Sequence, residues 1–165
     1  MPDRLLRPSW DEWFMEIARV VSMRSSCRRR RVGCVVVSRD RYILSTGYNG
    51  SPAGSSHCTD TPCRGAGLPS GQGLDLCEAV HAEQNAIARL KDVDSAHTLY
   101  CTTPPCTGCV RIIAATPISV IACEGDYAAS GEEFWTEVAG RKWRSVRKRV
   151  MFQTFDGGWH GVAVE

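Results

Sequence analysis

The sequence predicts an α/β domain of three layers (α/β/α), a mixed five-stranded sheet with helices on both faces. Three observations predict it. The chain has 165 residues, 43% of them hydrophobic, which suits one domain, residues 1–165, around a substantial core. Its apolar residues recur with helical and strand periods in the order helix, hairpin, helix, strand, helix, strand, helix, strand. Two of the later strand-to-strand steps pass through a helix, which makes the joined strands parallel neighbours with right-handed crossovers.

Trp10, Phe14, Ile17 and Val21 keep helical spacing, so residues 10–24 are a helix. Ser9 caps it, and Glu12 completes a capping box. Val32 to Val37 is an apolar strand, Asp40-Arg41 the turn, and Tyr42 to Tyr48 the return strand of a hairpin. Residues 49–72 are dense in Gly, Pro, Ser and Cys and read as a long loop. A loop of that length needs a staple or a function. Residues 78–91 are a helix, 97–101 a strand, and 106–115 a helix stopped by Pro117. Ile118 to Ala122 is a strand and 131–139 a helix. Trp143 to Arg149 supplies a fifth strand, and residues 150–165 show no usable period. There is no internal repeat and no linker.

A net charge of +2 does not call for a nucleic-acid partner, and no run of 18 apolar residues calls for a membrane. Residues 1–8 are polar and basic, without the apolar core of a secretion signal. A cytoplasmic location is expected, where thiols stay reduced. Nine cysteines then point to metal binding more than to disulfides.

The chemistry concentrates in His81-Ala82-Glu83 and Pro105-Cys106-Thr107-Gly108-Cys109. Either alone is weak: His-Ala-Glu is background, and C-x-x-C fits a redox pair or half a zinc knuckle. Each precedes a helix, and a strand separates them. Cys106 and Cys109 share a helix face, Pro105 suits the first helical position, and a helix N-terminus favours thiolates. Three protein ligands leave the fourth position of tetrahedral zinc open for water. The metal brings that water's pKa to roughly 7. Together the two stretches resemble the signature of zinc nucleobase deaminases, in which the glutamate carries protons and does not bind metal.

Three stretches narrow the resemblance: Gly47-Tyr48-Asn49-Gly50-Ser51-Pro52-Ala53-Gly54 with His57-Cys58, then residues 81–87, then residues 105–109. They resemble the deoxycytidylate (dCMP) deaminases of the cytidine deaminase superfamily, over about residues 10–127. The G-Y-N-G-x-P stretch separates that family from tRNA adenosine deaminases. The resemblance implies a cytidine-deaminase-like fold. It also implies hydrolytic deamination of dCMP to dUMP and ammonia by a zinc-bound hydroxide. His81, Cys106 and Cys109 then bind the catalytic zinc, and Glu83 is the proton shuttle. Asn49 matches the asparagine that contacts sugar or cytosine, though Asn-Gly is also an ordinary turn.

Family members also carry a second, structural zinc, for which Cys27, Cys58, Cys63 and Cys77 are candidates and His57 competes with Cys58. The remaining Cys34, Cys101 and Cys123 read as core residues. Family members form homohexamers activated by dCTP and inhibited by dTTP, in pyrimidine nucleotide biosynthesis. The run Arg28 to Arg31 offers a phosphate contact, with Arg30 or Arg31 preferred, or else a solvated turn. Tyr127, after a strand end, stacks on a base or packs at the rim. Residues 65–73, the basic cluster 141–149 and the C-terminal tail match nothing in the family.

Three other readings stand beside this one. The substrate is another cytosine nucleotide, dCTP or a 5-substituted dCMP. It is adenosine in tRNA or cytosine in single-stranded DNA, which would need a basic groove. Or the chain is a catalytically silent zinc module binding nucleic acid through Arg28 to Arg31, which would not need Glu83.

Overall fold

A computed structural model describes residues 7–69, 72–127, 130–138, 140–153 and 159–163. Helix α1 (Trp10–Ser22) is followed by strands β1 (Gly33–Ser38) and β2 (Ile43–Tyr48). Then come α2 (Ala82–Ala88), β3 (Ala96–Cys101), α3 (Thr107–Ala114), β4 (Val120–Cys123), α4 (Glu132–Glu137) and β5 (Lys142–Ser145). Strands β6 (Arg149–Gln153) and β7 (Trp159–Ala163) pair as a separate two-stranded sheet.

The five-stranded sheet has the order β2-β1-β3-β4-β5. Strand β1 runs antiparallel to β2 and β3, while β3, β4 and β5 are parallel. The expected mixed sheet and both helix-connected parallel steps are therefore present. Residues 78–81 are not helical, because Val80 pairs with Gly50 and His81 caps α2. The fifth strand stops at Ser145, short of the expected Arg149, which opens β6.

Side chains alternate across the sheet with period 2. Cys34, Val36, Leu99, Cys101 and Ile121 point to the face covered by α2, α3 and α4, where Ala82, Ala86, Val110, Ile113 and Trp135 complete a buried cluster. Val35, Val37, Tyr100 and Ala122 point to the other face, against Phe14, Met15 and Ala18 of α1. The expected capping box is present: Ser9 Oγ accepts from the Glu12 N–H, and Glu12 accepts from the Ser9 N–H. The Tyr100 hydroxyl donates to Asp11 at 2.6 Å, and Arg144 donates to the same carboxylate at 2.8 Å. One acidic side chain thus ties the start of α1 to β3 and β5.

Glycine sets how closely helices approach the sheet. A Cβ on Gly47 of β2 would lie 2.2 Å from the Ala82 carbonyl oxygen and 2.4 Å from the Ala86 nitrogen. These are backbone atoms of α2 that no rotamer change can move. Gly47→Ala should therefore cost about 1–3 kcal/mol of overpacking. Each kcal/mol lowers the melting temperature by about 2–4 °C in a domain of this size. Calorimetry checks this, and an unchanged melting temperature would refute the close β2–α2 contact.

Candidate metal and nucleotide site

The site forms where α2 and α3 begin. His81 and Cys106 are the N-cap residues of the two helices, both in extended backbone conformation. Pro105 therefore lies one residue before the cap, not at the first helical position. Cys109 sits in the first turn of α3, beside Cys106 on one face. The His81 N–H is held by the Gln84 side chain at 2.9 Å. The first turn of α3 closes through the Val110 N–H on the Cys106 carbonyl at 2.9 Å.

His81 Nδ1 lies 3.6 Å from Cys106 Sγ and 3.3 Å from Cys109 Sγ. All three donor atoms fall within 4.8 Å of one another, the one such group of three among the described residues. Around tetrahedral zinc, with N and S bonds of about 2.1 and 2.3 Å, neighbouring N and S donors are roughly 3.6 Å apart. The donor set and its spacing therefore fit zinc, with three protein ligands. The His81 Nδ1 atom must be unprotonated to serve, which leaves the proton on Nε2.

The thiols are unequal. Cys106 is pushed down to about 4, first by the Cys109 thiol donating to it and then by His81. Cys109 is pushed up by that same hydrogen bond and by burial. His81 is raised mainly by its contact with Cys106. One thiolate is ready, and the other still holds its proton until a cation displaces it.

Glu83 lies one residue into α2 beyond Ala82, its side chain only 5% exposed. Burial is the largest influence on its carboxyl and raises its pKa. Cys101, at the end of β3, acts on that carboxyl in the opposite sense and lowers its pKa. Cys101 is fully buried, as its expected place in the core requires. Its contact with Glu83 is a long-range consequence of strand alternation that no local pattern reveals.

The cavity over these groups is also lined by Arg29, Arg30, Asn49, Thr103 and Tyr127. The Asn49 side chain is buried. Its carbonyl oxygen accepts from Ser25 Oγ at 2.7 Å and the Val32 N–H at 2.8 Å, and its amide donates to the Arg30 carbonyl at 2.8 Å. An amide has two lone pairs and two N–H groups. Both lone pairs are used, and one N–H is left for the cavity. Asn49 is thus a loop pin that also lines the cavity, so neither sequence reading excludes the other.

The Arg30 guanidinium stacks over the Tyr127 ring at 5.4 Å. The preferred pair Arg30 and Arg31 part company: Arg30 faces this cavity, and Arg31 lines a different depression. Arg29 was not singled out. It lines the cavity and donates to the Pro69 and Gln72 carbonyls, pinning the long loop. Of the four spare cysteines, Cys58 and Cys63 bring their sulfurs to 3.8 Å, and Cys27 and Cys77 line the main cavity. No three of those four thiols lie within 4.8 Å of one another. His57 is exposed. Cys34, Cys101 and Cys123 are buried in β1, β3 and β4, as expected.

Residues 8–124 match the family model described as the cytidine and deoxycytidylate deaminase zinc-binding region. A deoxycytidylate deaminase of Mycobacterium phage D29 is 45% identical over 118 residues, covering 68% of this chain and 91% of that protein. The deoxycytidylate deaminase of Saccharomyces cerevisiae is 39% identical over 132 residues, 79% of this chain but 42% of that protein. This chain therefore spans about two fifths of the yeast relatives it matches. A crystal structure of dCMP deaminase from cyanophage S-TIM5, in complex with dCMP and dUMP, superposes with a TM-score of 0.68. It is 26% identical and covers 86% of this chain and 99% of that chain. Among the described residues, no helix is long and apolar enough to cross a membrane.

Because Cys109 holds its proton until a cation takes its place, zinc affinity should rise with pH, by up to about tenfold per unit for each proton displaced. Competition titrations against a chelator at pH 6, 7 and 8 measure this. An affinity independent of pH would exclude Cys109 as a ligand, since Cys106 is already thiolate across this range.

Proposed function

Since the chain belongs to the cytidine and deoxycytidylate deaminase zinc-binding family, we propose that it deaminates dCMP hydrolytically to dUMP and ammonia. The observation that carries this reading is the meeting of His81, Cys106 and Cys109 with buried Glu83, in a cavity that also holds Arg30 and an available Asn49 N–H. The names of the phage and yeast relatives, and the dCMP and dUMP in the cyanophage structure, support cytosine over adenine. In this reading His81 Nδ1 and the sulfurs of Cys106 and Cys109 hold zinc. When bound there, the ion supplies Lewis acidity that makes water a nucleophile near neutral pH.

The chain's own groups do the rest. The Glu83 carboxylate takes a proton from the attacking water. It passes that proton to the ring nitrogen beside C4, takes a second from the new C4 hydroxyl, and gives it to the departing amine. The C4–O bond forms, the C4–N bond breaks, and the carboxylate is restored. Burial raises its pKa toward the working pH, which suits a group that must both accept and donate. Asn49 donates to the sugar or base, Arg30 meets the 5′-phosphate, and Tyr127 closes over the base edge. Silent zinc modules have no use for a buried carboxylate beside the ligands, and Glu83 is what disfavours that alternative.

A homohexamer and control by dCTP and dTTP rest on the family resemblance, residues 1–165 acting as one domain rests on length and core size, and a cytoplasmic location rests on the polar first residues and the reduced thiols. A second, structural zinc on Cys27, Cys58, Cys63 and Cys77 is supported by the Cys58–Cys63 approach and by the electrostatic contact of Cys77 with Cys27 and Cys63. It requires those side chains to rotate inward. Metal analysis decides between two ions and one.

Three variants test the roles. Glu83→Gln should keep zinc and lose about 10²–10⁴ in turnover. Cys106→Ala should lose zinc and activity together. Arg30→Ser should raise KM for dCMP with little change in kcat and little effect on deoxycytidine, which has no phosphate. Ammonia release from dCMP, dCTP, deoxycytidine, 5-methyl-dCMP and a tRNA stem-loop fixes the substrate. Turnover of the stem-loop alone would overturn the proposal.

A further inference from the structure

Helix α2, which carries Glu83, packs on one face of the sheet where β1 begins and β3 ends. Cys34 and Cys101 are direct partners there in the antiparallel register. The Thr102 N–H donates to the Gly33 carbonyl at 3.0 Å, which makes residues 33 and 102 a hydrogen-bonded pair. Residues 34 and 101 are then the next, non-hydrogen-bonded pair, whose side chains stand closest. Both thiols are fully buried and face α2 beside Ala82, the chain neighbour of Glu83. The two thiols interact with each other, and Cys101 interacts with the Glu83 carboxyl.

Other side chains on that buried face have already spent their hydrogens. Ser45 Oγ donates to the Ala86 carbonyl at 2.8 Å, and Trp135 Nε1 donates to the Lys142 carbonyl at 2.9 Å. Cys123, beside Cys101 in the parallel register, turns its thiol to the Arg144 carbonyl at 4.0 Å. Cys34 and Cys101 have no such carbonyl among the described residues. A thiol has one hydrogen to give, and Cys101 can turn it to Cys34 or to Glu83. The carboxylate is the stronger acceptor, so Cys101 turns to Glu83 and Cys34 supplies the hydrogen between the two sulfurs. A carboxylate held by one oxygen from the sheet side keeps its other oxygen for the cavity.

We propose that Cys101 is a positioning residue for Glu83: its thiol donates to one carboxylate oxygen, and Cys34 donates in turn to the Cys101 sulfur. This rests on the reading of Glu83 as the proton carrier.

Steady-state kinetics of the zinc-loaded full chain on dCMP test it. Cys101→Val should lower kcat about fivefold to tenfold, with KM, zinc content and melting temperature little changed. Cys101→Ser, which restores a donor, should bring kcat back to within about twofold. A residue that only fills the core predicts the reverse order, because valine suits a buried strand and a hydroxyl does not. Unchanged kcat in Cys101→Val, or valine outperforming serine, would overturn the proposal while an inactive Glu83→Gln left the proton-carrier reading standing. The S–H infrared stretch gives a readout that needs no turnover. Zinc-bound thiolates carry no S–H, and the Cys101 band is assigned by its loss in Cys101→Val. That band should move to higher frequency in Glu83→Gln, where a neutral amide replaces the carboxylate. A band that stays in place would also overturn the proposal. Near-normal turnover in Glu83→Gln would sink the proton-carrier reading itself, and the positioning role with it.

Discussion

Everything at the site depends on two helices beginning at the same edge of one sheet. His81 and Cys106 are N-caps, so their side chains leave the backbone before the helical turn buries them, and both helix starts lend positive potential to the point between them. That potential favours thiolate on Cys106, which falls to about 4 under the added pull of Cys109 and His81. Convergence requires α2 and α3 to lie close on the sheet. For α2, Gly47 supplies the closeness, since any side chain there would strike the helix backbone. Gly131, which caps α4, likewise lets that helix approach α3, since a side chain there would come within 2.5 Å of Val110. The metal donors are therefore placed by residues that never touch them.

The fold was largely readable because its signals are local. A capping box, a run of β-branched residues and a C-x-x-C after proline each fix their own segment without reference to the rest. The helix starts were placed less well. Residues 78–80 have helical composition, yet Val80 spends its backbone groups on Gly50 across the long loop, and that bridge is a tertiary event. Pro105 missed its expected position for a similar reason, since its carbonyl is claimed by the Gly131 N–H.

Site residues divide along the same line. His81, Glu83, Cys106 and Cys109 were legible because chemistry requires their types at fixed spacing. Arg29, Cys101 and the double duty of Asn49 were not. Each acts through a partner far along the chain: Arg29 through the carbonyls of residues 69 and 72, Cys101 through Glu83, and Asn49 through Ser25 and Val32. The long loop shows the limit well. Its composition said only that something must hold it. The holders are backbone hydrogen bonds such as Thr59 to Ser26 and Gly65 to Leu76, together with the Arg29 guanidinium.

The basic run at residues 28–31 illustrates how a sheet edge converts sequence neighbours into functional strangers. Four arginines in a row read as one patch. Just before β1 begins, Arg30 stacks on Tyr127 at the cavity that holds Glu83, while Arg31 lines a separate depression with Arg147 and Lys148. The same split divides residues 102 and 103 and residues 126 and 127. Consecutive residues at this end of the sheet thus line separate hollows, one holding the buried carboxylate beside His81 and Cys106, the other a surplus of cations.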